Sequence, residues 1–318
     1  MAPYIVRRLL GAVVQASVVL VIAFTLVRLT PGDPVTAYLS RVQSEARVSP
    51  ERIAQIRRDL GLDRPVVVQL GYYVARVLRG DLGISYTQSQ PVLDIVRSQL
   101  PFTLHLALAA LLIELLIGVP LGVYAATRRG SLADYLATTV ATAGYSLPRF
   151  WIGMVLIMVF AVRFRLFPVI GVGEVGQPLD VLHHLILPAA ALGIAGAAYV
   201  SRMTRSAMLE VLGEDYIRTA RAKGLAARRV LTHHALRNAV IPVVTVVGVS
   251  LGRALGGSAV IETLFGRAGI GSLLVEAITQ RDYTLVQGTI LVFALGVFIV
   301  NLAVDLAYAW LNPRIRFT

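Results

Sequence analysis

The sequence predicts an all-α integral membrane protein with six transmembrane helices, both termini cytoplasmic, and a small helical extracytoplasmic element after the first span. Three observations predict it. Hydrophobic residues make up 56% of the 318 residues and charged residues only 15%, against about 25% charged in soluble domains, and the mean hydropathy is +0.72. Six nearly uncharged runs are long enough to cross a hydrocarbon core, which takes roughly 20 residues of helix. The net charge of +12 comes almost wholly from Arg, since Lys223 is the only lysine, and it gathers in short loops between the runs. That is the pattern of cytoplasmic Lys and Arg enrichment rather than of a nucleic-acid surface.

The first run, 9–27, follows Arg7-Arg8 and is followed by Thr30-Pro31-Gly32-Asp33-Pro34 rather than by a small-residue cleavage site, so it reads as a retained anchor. The chain then divides into an anchor helix (1–30), an extracytoplasmic helical loop (31–100) and a five-span core (101–318). In the loop, Ser49-Pro50-Glu51 is a helix start and Gly61 a stop. Leu70, Tyr73, Val74, Val77 and Leu78 then share one helical face before Gly80.

The remaining spans are 102–126, 135–162, 185–201, 239–261 and 283–311. The 135–162 run contains Pro148-Arg149, and each half is too short to cross alone, so it reads as one long helix kinked at Pro148. The 185–201 run is short for a span. With the N-terminus inside, the cytoplasmic segments hold Arg7, Arg8, Arg128, Arg129 and the basic residues of 202–238, whereas Arg residues outside are offset by acids such as Glu174, Asp180 and Glu262.

The cytoplasmic loop 202–238 is the most basic segment. Glu214-Asp215 suits a helix N-terminus, Ile217 and Ala220 share a face with Arg221, and Gly224 stops the helix. A second helical run, 226–236, leads to Pro242 at the next span. Small residues cluster at the tip (Thr219, Ala220, Ala222, Gly224), as close docking against another surface requires. A solvated loop that only fixes orientation explains the charge but not this pattern.

Arg218-Thr219-Ala220, three residues and then Gly224 resemble the EAA loop of ABC-importer permeases. The resemblance runs along nearly the whole chain to the B-type permease of dipeptide, oligopeptide and nickel importers. It is carried by LTPGDPV, DLGLDRPVVVQ, RGDLGISY, QLPFTLHLAL, YSLPRFWIG, DYIRTARAKGL, HHALRNAVIPV, IETLFGRAGIG, RDYTLVQG and LNPRIRF. The chain departs from the EAA triplet in having Arg218 where the motif has Glu, and has His234-Ala235-Leu236-Arg237 where the general motif ends in I-x-L-P. The resemblance implies the ABC-importer permease fold in a bacterial inner membrane, and half of a pathway for di- or oligopeptides, a nickel chelate or a related small solute. It also implies two separate ATPase subunits that bind ATP and Mg, a second homologous permease and an extracytoplasmic substrate-binding protein. Asp215, Arg218, Thr219, Ala220, Arg221 and Gly224 would then form the coupling helix that meets an ATPase.

No G-x-x-x-x-G-K-[ST] loop occurs, so this chain is not expected to cradle nucleotide phosphates or to be an enzyme. No cysteine is present, and His183-His184 and His233-His234 are adjacent pairs whose rings diverge on a helix, so no metal or other cofactor is expected in the chain itself. Glu114, Arg253 and Asp305 fall inside spans. Such charges serve either an ion relay, as in a secondary transporter or channel working alone, or a structural pair. With no Asp/Glu/His chain linking them, Glu114 or Asp305 is expected to pair with Arg253. A secondary transporter would also show matched interrupted helices, and only one run here is interrupted.

Overall fold

The computed structural model describes residues 2–29 and 64–311. The helix expected from Ser49 to Gly61 lies outside the described residues. Among those described, the regular structure is helical, apart from one isolated bridge between Ile84 and Pro91. The elements are α1 (Ala2–Leu29), α2 (Val66–Leu78), α3 (Val92–Thr127), α4 (Leu132–Ser146), α5 (Arg149–Leu156, prolonged by a π-helical stretch Ile157–Arg163) and α6 (Pro178–Leu212). They continue with α7 (Asp215–Ala222), a turn at Ala227–Arg229 and π-helical Val230–Leu236 running into α8 (Arg237–Leu264), then α9 (Ile270–Thr279) and α10 (Tyr283–Leu311).

Three helices of the described residues are long and apolar enough to cross a bilayer, Val92–Thr127, Pro178–Leu212 and Tyr283–Ala303, with α4 and α5 a fourth if they form one span. Two sequence expectations need correction. The 185–201 run is part of a 35-residue helix, about 52 Å long at 1.5 Å per residue, so it is not a short span. The 135–162 run is not one kinked helix. It breaks at Leu147-Pro148, and the two pieces are bent by 103°. Pro148 has no N–H to continue the ladder and holds the preceding residue extended, as the φ of −78° and ψ of 136° at Leu147 show.

The chain divides into two compact bodies, Met1–Pro101 with Ser272–Phe298, and Phe102–Gly271 with Ile299–Thr318. In the first, the α2 face is partly buried at Leu70, Tyr73, Val74 and Val77, and the Phe24 ring lies 5.9 Å from that of Tyr73. Leu78, expected on this face, is exposed. The RGDLGISY stretch folds into a tight loop after Gly80 (φ 78°). Arg76 donates to Asp81 at 2.8 Å, which holds that carboxyl below its ordinary range. The loop is tied to Asp282 at the start of α10. The buried Oδ2 accepts from Ser85 Oγ (2.6 Å), Thr87 N (3.0 Å) and Thr87 Oγ1 (2.9 Å), while Oδ1 accepts from Leu285 N (3.0 Å). Two separate sequence motifs, RGDLGISY and RDYTLVQG, are thus one structural unit.

In the second body, α3 and α6 touch backbone to backbone. A Cβ at Gly122 would lie 2.6 Å from Ser201 O, and one at Gly193 would lie 2.7 Å from Ala110 O. Small residues allow this approach, which in a membrane replaces the hydrophobic effect with van der Waals contact. Despite its bend, the α4–α5 pair advances steadily along α6. Asp134 meets Arg205 at 2.6 Å, and ideal Cβ atoms at Gly144 and Gly153 would lie 3.7 Å and 3.6 Å from Ala198 and Ala191. Finally, one built at Gly171 would lie 3.7 Å from His184. The broken pair therefore runs from one end of this body to the other rather than returning to its start.

Candidate functional site

The insert between α6 and α8 is built on an apolar underside. Ile217 and Ala220, three residues apart on α7, are buried with Met208 of α6, Ala126 of α3, and Val230 and Ala235 of the π-helical stretch. The opposite face of α7 is exposed at Asp215, Arg218, Thr219 and Arg221. Arg218 pairs with Asp215 one turn away, and Thr219 Oγ1 donates to Asp215 O at 3.0 Å. Asn238 Nδ2 donates to the Tyr216 hydroxyl at 2.8 Å, joining α7 to α8. Gly224 ends the helix with φ 75° and has open space where a side chain would lie.

This geometry corrects one expectation and extends another. Ala220, expected among the residues that meet a partner, instead has its side chain buried in the chain's own interior. Its small size serves internal packing. The expected helical run 226–236 is present as Ala227–Arg229 and Val230–Leu236, and it continues without a break into Arg237–Leu264. The insert is thus anchored directly to α8.

The second group of expected residues lies within the helices α3, α8 and α10. Glu114 of α3 is 4% exposed, and its Oε1 has no hydrogen-bond partner. Arg253 does not form the expected ion pair with it. The Arg253 guanidinium instead lies over the Tyr199 ring, 4.9 Å from the centroid. The side chain of Asp305 lies outside the described residues. Arg149, read from the sequence only as part of a kink, donates from Nη1 to Arg253 O at 3.0 Å, and both guanidinium charges act on Glu114. Tyr145 stacks on Tyr199 with centroids 5.9 Å apart. An unpaired charge in hydrocarbon costs at least about 2.5 kcal/mol, and Glu114 is held by a hydrogen bond with Ser250 and the two nearby guanidiniums. The overlooked signal was an arginine directly after the proline that breaks a span.

The adjacent histidines have separate partners. His183 Nε2 and His184 Nδ1 face the carbonyls of Leu166 (2.7 Å) and Asp180 (2.9 Å). No cluster of three or more His, Cys, Asp or Glu able to hold a metal occurs among the described residues.

Comparison with known proteins places this geometry in context. Residues 118–317 match the family model described as "Binding-protein-dependent transport system inner membrane component", and residues 1–107 match its N-terminal companion. The chain is 43% identical to the dipeptide transport system permease protein DppB of Escherichia coli, covering 99% of both chains. It is 44% identical to the di/tripeptide transport system permease protein DppB of Pseudomonas aeruginosa, again over 99% of both. It is 40% identical to the E. coli glutathione transport system permease protein GsiC, over the full length of both. A solved structure of the inward-facing MetNI methionine ABC transporter shares the fold, with TM-score 0.58 and 19% identity, over 69% of this chain and 96% of that one. The chain therefore belongs to the inner-membrane components of binding-protein-dependent transport systems, as a multi-pass permease subunit of an ABC importer.

Proposed function

We propose that this permease forms half of the translocation pathway of an ATP-driven importer of di- or oligopeptides. Two ATPase subunits bind ATP and Mg outside this chain, a second homologous permease completes the pathway, and an extracytoplasmic binding protein delivers the solute. The peptide substrate is supported by the relatives named for dipeptide, di/tripeptide and glutathione transport.

Six spans with both termini cytoplasmic fit the way contacts sort within the second body. Residues 126, 134, 205 and 217 gather at one end through the Ala126–Ile217 cluster and the Asp134–Arg205 pair. Residues 103, 171 and 262–270 gather elsewhere, through Thr103–Glu262 (2.7 Å), Ile270–Thr103 (2.8 Å) and Gly171–Phe265 (3.0 Å). The first group holds the basic loops and belongs inside.

The observation that carries the coupling role is the two-sided character of α7. Its underside is fastened by buried Ile217 and Ala220, while Asp215, Arg218, Thr219 and Arg221 face outward beside Gly224. A force on the outward face passes directly to α6 and to the α8 span through the shared cluster. Each charge-assisted bond lost at such a contact costs about 1.5–3 kcal/mol, more than tenfold in affinity.

Two measurements test this reading. A cysteine at Ala226, in a chain with none of its own, should react only with membrane-permeant reagents in intact cells; labelling by an impermeant reagent would place the insert outside. In the purified complex, Arg218→Ala/Arg221→Ala should cut substrate-stimulated ATP hydrolysis at least tenfold while the spans stay folded. Gly224→Asn, which tolerates the left-handed backbone but adds a side chain at the contact, should act in the same direction. Unchanged stimulated hydrolysis in both variants would refute coupling through this face.

A further inference from the structure

Four side chains converge where the α4–α5 pair is broken. Arg149 is the first residue of α5, directly after the break, and Tyr145 precedes it on α4. Arg253 lies 16 residues into α8, about 24 Å from its start. Tyr199 of α6 stacks on Tyr145 and carries the Arg253 guanidinium on its face. Arg253 and Tyr145 are exposed and Arg149 is half-buried, so the guanidiniums are reachable from a path along this surface.

Among the described residues neither arginine has a carboxylate within ion-pair distance, and the Arg253 guanidinium lies on the π-face of Tyr199. The nearby acid, Glu114, is almost fully buried, feels both positive charges, and leaves Oε1 without a donor. Among the described residues, the two guanidiniums and one ionised carboxylate carry one net positive charge between them. Room for this arrangement depends on glycine, because a Cβ at Gly257 would collide with Arg149 Nη1 and one at Gly196 with the Glu114 carboxylate. Gly256 beside them has open space. Among the described residues neither guanidinium is matched by a carboxylate in contact, and the Arg253 side chain stays exposed.

We propose that Arg149 and Arg253, with the Tyr145–Tyr199 ring pair, form a recognition station on the translocation path that takes the carboxylate of a passing solute. Guanidinium forks match a carboxylate in two-point geometry, and the stacked rings offer an apolar face to the solute's body. Glu114 is a positioning residue, holding the two like charges together without blocking them. The station rests on the peptide-import reading and narrows it to solutes with a free terminal carboxylate.

The test uses the complete transporter in proteoliposomes with saturating binding protein and labelled dialanine. Arg253→Gln and Arg149→Gln should each lower dialanine moved per ATP hydrolysed at least tenfold, while binding-protein-stimulated hydrolysis persists. Arg253→Lys, which keeps the charge but not the fork, should recover only part of the yield. An independent measurement needs no variant: dialanine should protect Arg253 of the wild-type complex from an arginine-selective dicarbonyl reagent, and dialanine amide should not. Wild-type yield in both Gln variants, or equal protection by acid and amide, would overturn the station. A wild-type complex that takes up no dialanine at all would instead overturn the peptide reading on which it rests.

Discussion

Two buried glutamates in the same body, Glu262 and Glu114, are 0% and 4% exposed, yet they are treated in opposite ways. Glu262 accepts from the Thr103 hydroxyl at 2.7 Å, and the same hydroxyl oxygen accepts from Ile270 N, at the start of α9, at 2.8 Å. Its carboxylate fills the space a Cβ would need at Gly269, just ahead of the positive end of a helix, where a negative charge is favoured. Glu114 also fills the space beside a glycine, Gly196. It has a hydrogen bond with Ser250, two arginines acting on it at a distance, and no donor on Oε1. Burial is equal; satisfaction is not. A fully bonded buried charge holds elements together, whereas a half-bonded one among exposed cations leaves them free to bind something else.

The largest expected effect comes from breaking the satisfied site. Glu262→Ala removes the acceptor for Thr103 and the acid nearest Arg267, a 1% exposed arginine whose three guanidinium nitrogens have no hydrogen-bond partner. The Glu262 charge offsets the burial that lowers the Arg267 pKa. Removing one partner of a buried charge arrangement costs about 3–5 kcal/mol. The purified variant should therefore melt well below wild type, and little of it should accumulate in membranes. A melting temperature within a few degrees of wild type would show that the Glu262 knot is not structural.

The sequence made the two glutamates look different for the wrong reason. Glu114 stood out because it interrupts an apolar run, and Glu262 did not, because it sits in a segment that reads as an outer loop. Helical periodicity and loop charge located most elements: α10 spans the expected 283–311, and α8 exceeds its expected span by a few residues at each end. What could not be read was contact between distant segments. Nothing in RGDLGISY shows that its Ser85 hydroxyl will bond Asp282, 197 positions away. The face of Ala220 was equally hidden, since a small residue suits an internal contact as well as a docking surface. The 103° break was signalled by Pro148, but a proline permits both a kink and a full break, and only packing along α6 decides between them.

An intermediate effect should come from Glu114→Gln. Because Oε1 has no donor to lose and an amide oxygen can still take the Ser250 hydrogen bond, the amide should cost no more than about 1 kcal/mol of stability. Transport should suffer more than folding, since the positive charges of Arg149 and Arg253 then go unbalanced. Thermal melts of the complex, set beside dialanine uptake per ATP, separate the two. A large loss of stability with normal uptake per surviving complex would make Glu114 a structural residue of the same kind as Glu262.

The smallest expected effect, a coupling energy with no loss of transport to accompany it, sharpens the contrast by using the glycine beside Glu114. A methyl at Gly196 would meet the carboxylate, the far end of a flexible chain, rather than fixed backbone. The carboxylate can move aside, so Gly196→Ala should cost only about 1–2 kcal/mol, the low end for overpacking. Moving it also shifts the charge relative to Arg149 and Arg253, so the cost should be electrostatic as well as steric. In a Glu114→Ala background neither term survives, and the same Gly196→Ala change should become neutral. The difference between the two backgrounds is the coupling energy, expected at about 1 kcal/mol for side chains in direct contact. Melting temperatures of the four proteins give it without any transport assay. An equal cost in both backgrounds would mean that Gly196 is small for the α3–α6 approach alone, as Gly122 and Gly193 are, and that the position of the Glu114 carboxylate is not held by the glycine beneath it.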